Sequence, residues 1–302
     1  NPENEKKVIE IANKMGLPAT GGYEISQLYG LSARTRTAAV NAALIPKMME
    51  TANMTEGAVK ESGIRKPLMI MRCDGGVMSI DEVRKRPILT MLSGLAAGVA
   101  GALMYEKITD GIFLEAGGTS TDISVIKDGK VMIKNAQIGG QKLYLTSLDV
   151  RTLGVAGGSM IVVEDGKLVD VGPRSAHIAN KSYEVFAEPK KIVSPKIKLV
   201  APREEDKPNY AVIECENGES YALTLAGAAN ILGYVGEGDY AHGNKEAAKK
   251  AWQALADLTG ESVEELCKTA MEISMKKVKQ IVDELIVDYN LNKNLIYLIG
   301  GG

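Results

Sequence analysis

Apolar positions return at helical spacing over residues 8–15 and again over 37–58, where Ala39, Val40, Ala43, Leu44 and Met48 share one mostly apolar face. Pro46 lies inside the second run and predicts a kink or a break there, because proline lacks an amide hydrogen and its ring crowds the preceding turn. Leu68 to Met71 form a short apolar run that stops at Asp74-Gly75-Gly76, the pattern of a buried strand entering a tight turn. Ser79, with Glu82 three residues on, predicts a helix start closed by a capping box. From Ile88 to Met104 seventeen residues pass without a charge, but the stretch holds Thr90, Ser93 and three glycines and falls short of the ~20 apolar residues of a membrane span. A buried helix from Ser93 to near Glu106 is the reading, and no membrane association is expected.

Beyond residue 110 the period shortens. Residues 111–114, 123–126 and 130–134 are strand-like, the last two joined by a turn carrying Asp128-Gly129, and 160–163 with 167–171 flank a second such turn at Asp165-Gly166. Further strands are expected over 196–200, 210–215 and 220–224. Helical spacing resumes over 245–258 and 262–288, the latter opened by Ser262 and Glu265 as a capping box. A last apolar run, 295–299, ends in Gly300-Gly301-Gly302. Strands, then helices, then a strand describe an α/β protein, not a bundle or a sandwich.

Composition narrows the chemistry. With 302 residues, 45% hydrophobic and 25% charged, the chain has room for one large domain or two. Lysine and arginine number 36 against 38 acidic residues, so no net positive field attracts a phosphodiester backbone and nucleic acid is not an expected partner. Three separated cysteines and two histidines exclude a disulfide framework and a zinc cage, which fits a reducing cytoplasm. The polar opening from Asn1 to Lys7 has no signal-peptide character. Glycine, at 32 residues, exceeds the usual ~7%, and it comes in pairs: Gly75-Gly76, Gly117-Gly118, Gly139-Gly140 and Gly157-Gly158. Paired glycines mark backbone that bends where a side chain would obstruct, or that something approaches closely.

One segment gathers several chemical features. An apolar strand delivers Glu115 at its end, Gly117-Gly118 turns the chain, Thr119, Ser120 and Thr121 supply hydroxyls, and Asp122 begins the return strand. Amide N–H groups in a glycine turn form an anion-binding concavity. Carboxylates beside it suit a divalent cation, since Mg²⁺ is usually held by one or two carboxylates together with substrate phosphates. No Walker sequence is present, and the turn returns into a strand rather than opening a helix as a dinucleotide fingerprint does. A plain tight hairpin with a polar tip also fits the pattern.

The order carboxylate, x, Gly, Gly, Thr, x, Thr, Asp resembles the phosphate hairpin of the actin and sugar-kinase ATPase superfamily. More narrowly, Asp74 to Ser79, Arg86-Pro87, Leu92 to Val99, Gly117 to Asp122, Leu148 to Val150 and Gly154 to Ser159 stand in the order and spacing of the hydantoinase A/oxoprolinase family. That family includes ATP-dependent hydantoinases, 5-oxoprolinases and the ATP-using subunits of acetone-type carboxylases. The resemblance implies an actin-like, ribonuclease-H-like α/β fold in an incomplete two-lobed arrangement, with 1–106 the remainder of a first lobe and its connecting helix. Residues 107–302 would be the second lobe, with hairpin, β-rich insertion and helical region. It implies ATP and Mg²⁺ as cofactors, with phosphoryl transfer to a carbonyl or amide oxygen of a small cyclic amide or imide. On this reading Gly117, Gly118, Thr119, Ser120 and Thr121 cradle phosphate, with Gly157 and Gly158 also at the nucleotide. Glu115 and Asp122 place the metal or an attacking water, and Gly300, Gly301 and Gly302 approach the adenosine. A second subunit of the hydantoinase B type is the expected partner, and a homo-oligomer is open.

The chain departs from the family pattern in three places. Glu115 stands where Asp is usual; His177 to Tyr183 replace a stretch that commonly carries a cysteine, a difference bearing on substrate; and the other phosphate hairpin, expected ahead of this segment, is not in the sequence. A longer protein, or a relative short of one lobe, is therefore expected. Two other functions stay open: a non-catalytic nucleotide-binding regulatory or chaperone-like module, and a small-metabolite kinase. Elsewhere, His177 reads as a solvated loop residue, His242 with Asp239 as a weak metal pair, and Cys73 as a small buried hydrophobe.

Overall fold

A computed structural model describes residues 2–26, 28–106, 109–138, 140–291 and 295–300. In chain order its helices and strands are α1 (Glu3–Lys14), α2 (Gly22–Ile25), α3 (Leu31–Glu61), β1 (Met69–Met71), β2 (Val77–Ser79), α4 (Ile80–Lys85), α5 (Ser93–Glu106), β3 (Gly111–Ala116), β4 (Thr121–Lys127), β5 (Lys130–Val131), β6 (Ile133–Ile138), β7 (Gln141–Leu148) and β8 (Val150–Leu153). There follow β9 (Ser159–Glu164), β10 (Lys167–Ser175), β11 (Ser182–Tyr183), β12 (Lys196–Val200), β13 (Tyr210–Glu214), β14 (Ser220–Ala222), α6 (Leu225–Leu232), α7 (Lys245–Thr259), α8 (Val263–Tyr289) and β15 (Ile296–Gly300). The chain forms two compact units, neither continuous: 1–110 with 124–150, and 111–123 with 151–302.

In the first unit α3 runs unbroken through Pro46, so the expected interruption does not occur. A proline forgoes only its own amide bond, and the long helix absorbs that loss because its apolar side is buried. Ala52 on α3 joins Met78, Ile80, Val83, Ile88, Leu89, Leu143 and Leu145 in one apolar cluster. The buried Asn41 crosses this packing with all its polar atoms used: its amide donates to Thr20 Oγ1 (3.0 Å) and the Lys85 carbonyl (2.9 Å), and its oxygen accepts from the Ile88 N–H (3.0 Å). Ser79 caps α4 as expected, accepting from the Glu82 N–H, but the reciprocal half of the box is not made. Glu82 pairs with Arg86 instead. Cys73 is buried in the same cluster and burial pushes its thiol up to about 11, so it is an inert hydrophobe and not a nucleophile.

The second unit is built on a sheet ordered β10-β9-β13-β14-β11, with β12 also on β13. Its central strands are apolar on both sides. On β9 and β13 the residues Ile161, Val163, Ala211 and Ile213 face a large core completed by α6, α7 and α8, while Met160, Val162, Tyr210 and Val212 enter a second cluster. Alternate residues of a strand point to opposite faces, so a sheet covered on both sides needs continuous apolar runs. The turns at Asp128-Gly129 and Asp165-Gly166 carry left-handed residues at both positions, the hairpin conformation their sequences call for. Ser262 and Glu265 close a full capping box on α8.

A carboxylate lies inside this core. Glu184 is wholly buried, accepting from Trp252 Nε1 (2.8 Å), the Thr224 N–H (3.1 Å) and the Thr224 hydroxyl (2.9 Å). Burial outweighs these donors and lifts its carboxyl from 4.5 to about 7. The native state therefore keeps a proton that the unfolded chain has already released, and the stability of the neutral form is lost as pH rises through about 7. Denaturant titrations from about pH 5 to about pH 8 should show the wild type losing stability relative to Glu184→Gln by up to about 3 kcal/mol. Parallel pH slopes for the two proteins would mean that Glu184 does not titrate in this window.

Candidate functional site

The candidate hairpin, β3 to the start of β4, lies in the second unit. β15 pairs in parallel with β3 from Ile296↔Ile112 to Gly300↔Ala116, so the closing glycine stands beside the residue that enters the turn. Gly300 has φ +118°, and a Cβ there would collide with the Ala116 backbone; only glycine fits. Gly301 and Gly302 lie outside the described residues.

Inside the turn the glycines behave differently. Neither Gly117 nor Gly118 is left-handed, and a Cβ would meet only Ser120 O at 3.6 Å and the Tyr183 hydroxyl at 3.4 Å respectively. The protein's own atoms do not demand glycine here. What a side chain would take away is the open space over the turn. Behind it the packing is close: the Gly157 N–H donates to the Gly117 carbonyl (3.2 Å), the Gly158 N–H to the Gly118 carbonyl (2.8 Å), and the Tyr183 hydroxyl also reaches the Gly118 carbonyl (3.3 Å). Each trans peptide points its N–H opposite its C=O, so tying both carbonyls inward aims the Gly118 and Thr119 N–H groups outward. Among the described residues those two amides donate to no backbone acceptor.

The hydroxyls divide likewise. Thr119 is exposed and Ser120 partly so, but Thr121 is buried and donates to the Val155 carbonyl (2.6 Å), which leaves no hydroxyl hydrogen for a ligand. Gly157 and Gly158 have spent their amides on the hairpin, and their carbonyls accept from Ala226 and Ala176. Through these bonds they support the turn from behind.

The two carboxylates are the electrostatic centre. Among the described residues, Glu115 Oε2 and Asp122 Oδ1 are buried oxygens with no hydrogen-bond partner. Burial raises both carboxyls above their usual range, the Asp122 charge adds to the rise at Glu115, and Thr152 and Ser120 hydrogen bonds partly offset it at Asp122. A buried acceptor without a donor is costly, and two such oxygens at one turn suit a cation. Among the described residues no three His, Cys, Asp or Glu side chains converge on a metal position, so a cation here would need water or ligand oxygens to complete its shell. Thr152, inside β8, is not legible as a site residue; nothing in its sequence context distinguishes it. His177 and His242 are exposed, and the Asp239 carboxylate accepts from the Gly236 N–H (2.7 Å) within its own loop.

Two surface concavities, about 780 Å³ along α8 and about 590 Å³ around residues 56–68, include no hairpin residue. Among the described residues no helix is long and apolar enough to cross a membrane.

Since the native state holds protons on Glu115 and Asp122 that the unfolded chain releases at lower pH, their neutral forms stabilise the fold and that stability is lost as pH rises through the raised values. In EDTA, Glu115→Gln and Asp122→Asn should each melt above the wild type at about pH 8, with the gap closing towards about pH 4. Variants melting below the wild type at the alkaline end would show that the charged pair is satisfied by the protein itself.

The chain is 26% identical over 324 positions to an uncharacterized protein of Methanocaldococcus jannaschii, covering all of this chain and 43% of that one. It is 28% identical to the caprolactamase subunit alpha of Pseudomonas jessenii, over 58% of this chain and 26% of that subunit. The fold matches nucleotide-free acetone carboxylase with a TM-score of 0.69 at 22% identity, over 95% of this chain and 38% of that chain. The chain thus spans less than half the length of these relatives. The family model described as Hydantoinase/oxoprolinase matches residues 34–302, and with the hairpin motif and the shared fold this makes the chain a member of the hydantoinase/oxoprolinase family.

Proposed function

We propose that this chain is the nucleotide-binding part of an ATP-dependent enzyme that activates a cyclic amide or imide, of hydantoin or 5-oxoproline type, or a related carbonyl compound, by phosphoryl transfer. The observation that carries the reading is the pair of unpartnered buried oxygens, Glu115 Oε2 and Asp122 Oδ1, flanking a turn whose amides face outward. On this reading the Gly118 and Thr119 N–H groups and the Thr119 and Ser120 hydroxyls donate to phosphate oxygens, and Gly117 and Gly118 keep side chains out of the way. Glu115 and Asp122 would hold Mg²⁺, which when bound neutralises phosphate charge and orients the attacking group. Gly300, beside Ala116, leaves bare backbone where the nucleoside approaches. Thr121 fixes the start of β4 and does not touch ligand. The chain's part in phosphoryl transfer is positioning and charge compensation.

An actin-like, ribonuclease-H-like lobe is the fold we infer for this part. A partner of the hydantoinase B type would complete the reaction; the relatives named as subunits of caprolactamase and of acetone carboxylase support a multisubunit setting.

Calorimetric titration of Mg-ATP into the 302-residue chain, followed by phosphate release with hydantoin, 5-oxoproline, a lactam or a ketone present, tests the proposal. Binding with substrate-stimulated phosphate release is expected. Glu115→Ala and Asp122→Ala should each lower turnover by at least about a hundredfold while retaining the wild-type circular dichroism spectrum. A stable phosphorylated product would identify a kinase instead, and unaltered turnover in both variants would remove these carboxylates from the site.

A further inference from the structure

Two glycines away from the turn are occupied in an unusual way. A Cβ on Gly158 would collide with the Tyr183 hydroxyl and the Gly118 carbonyl, and a Cβ on Gly227 would collide with Glu184 Oε1. Each glycine admits one polar group of a single connected system. Glu184 is its anchor: the carboxylate holds the Thr224 N–H and hydroxyl, and Thr224 is the N-cap of α6, its oxygen accepting from the Gly227 N–H at 3.3 Å. From the first turn of that helix the Ala226 N–H donates to the Gly157 carbonyl (2.7 Å), and the Gly157 N–H goes on to the Gly117 carbonyl (3.2 Å). The second arm is one residue long. Tyr183, adjacent to Glu184 and paired with Ala222 where β11 meets β14, stacks on Phe186 and sends its hydroxyl to the Gly118 carbonyl (3.3 Å).

We propose that Glu184, Thr224 and Tyr183 form a strut that positions the anion-binding hairpin, with Trp252 locking its buried base. One arm ends on the Gly117 carbonyl and the other joins the Gly158 N–H on the Gly118 carbonyl, and together these bonds fix which way the amides of Gly118 and Thr119 face. The strut touches no ligand; Tyr183 and Glu184 are positioning residues. Burial of a carboxylate is costly, and a fully satisfied network around it serves to fix a single geometry. The assignment of that geometry to phosphate rests on the function proposed above, but the mechanical role does not.

The test uses the 302-residue chain as wild type, Tyr183→Phe and Thr224→Val, the latter removing the hydroxyl that links Glu184 to the start of α6. Tyr183→Phe removes one hydroxyl from a partly exposed ring and should melt within about 2 °C of the wild type. Amide exchange at Gly157 and Gly158, read by NMR, should accelerate about three- to tenfold in both variants, and the Mg-ATP dissociation constant should rise by a similar factor. Wild-type exchange rates at both glycines in both variants would overturn the strut. So would a Tyr183→Phe protein that loses affinity only in step with a large drop in melting temperature, because that is a general loss of fold. A wild type that binds no Mg-ATP refutes the nucleotide reading separately, and the exchange arm then decides the strut without it.

Discussion

Two hydrogen bonds from Gly157 and Gly158 to the carbonyls of Gly117 and Gly118 are the constraint on which the candidate site depends. A peptide plane has two polar ends, and fixing one fixes the other. With the carbonyls held from behind, the outward amides are ordered by the protein itself, which is the sense in which such a turn is preorganised. The chain supplies the holding groups from far along the sequence: the segment before β9, the start of α6 and the end of β11 all converge on a two-residue turn. The polar groups left open at the turn are then the amides of Gly118 and Thr119 and the hydroxyls of Thr119 and Ser120.

The carboxylates state the complementary requirement. Glu115 and Asp122 sit where burial opposes their charge, relieved only in part at Asp122 by Thr152 and Ser120, so the fold bears an electrostatic cost at this turn. Structural ion pairs elsewhere do not share this character. Arg174, for instance, meets Asp206 through two nitrogens at 2.8–3.1 Å and holds that carboxyl below its usual range. Glu184 is a third kind: fully buried like a liability, yet with three donors on its two oxygens. Carboxylate oxygens without donors thus stand beside the open amides, and a carboxyl with three donors stands behind them.

Much of the fold was legible because it follows local rules. The helix from Ser93 to Glu106, the Ser262 capping box, the Asp-Gly hairpins and strands such as Lys196–Val200 all arise from periodicity and turn chemistry confined to a few residues. The misses have particular causes. α6 was hidden because Leu225–Leu232 is buried nearly all round and its short apolar run continues out of a strand, so neither period shows. Helix α3 passed Pro46 unbroken because tertiary packing outweighs one missing hydrogen bond. The run at 130–134 was split between β5 and β6, a change of partner that no local pattern encodes.

For the site, the amino-acid sequence by itself determined the chemistry on offer: a carboxylate on each side of a glycine turn, hydroxyls in its return limb, and a glycine closing the strand that turns out to lie alongside. Those are covalent facts of order and residue type. Which amides face out, that Thr121 turns inward to Val155, that Gly157 and Gly158 hydrogen-bond to the turn, and that Tyr183 reaches the same turn were decided only by tertiary structure. The reason is geometric. A hydrogen bond needs its partners within about 3 Å and in line, and for residues 34 to 65 positions apart that proximity is produced by the packed fold, not by the spacing of letters.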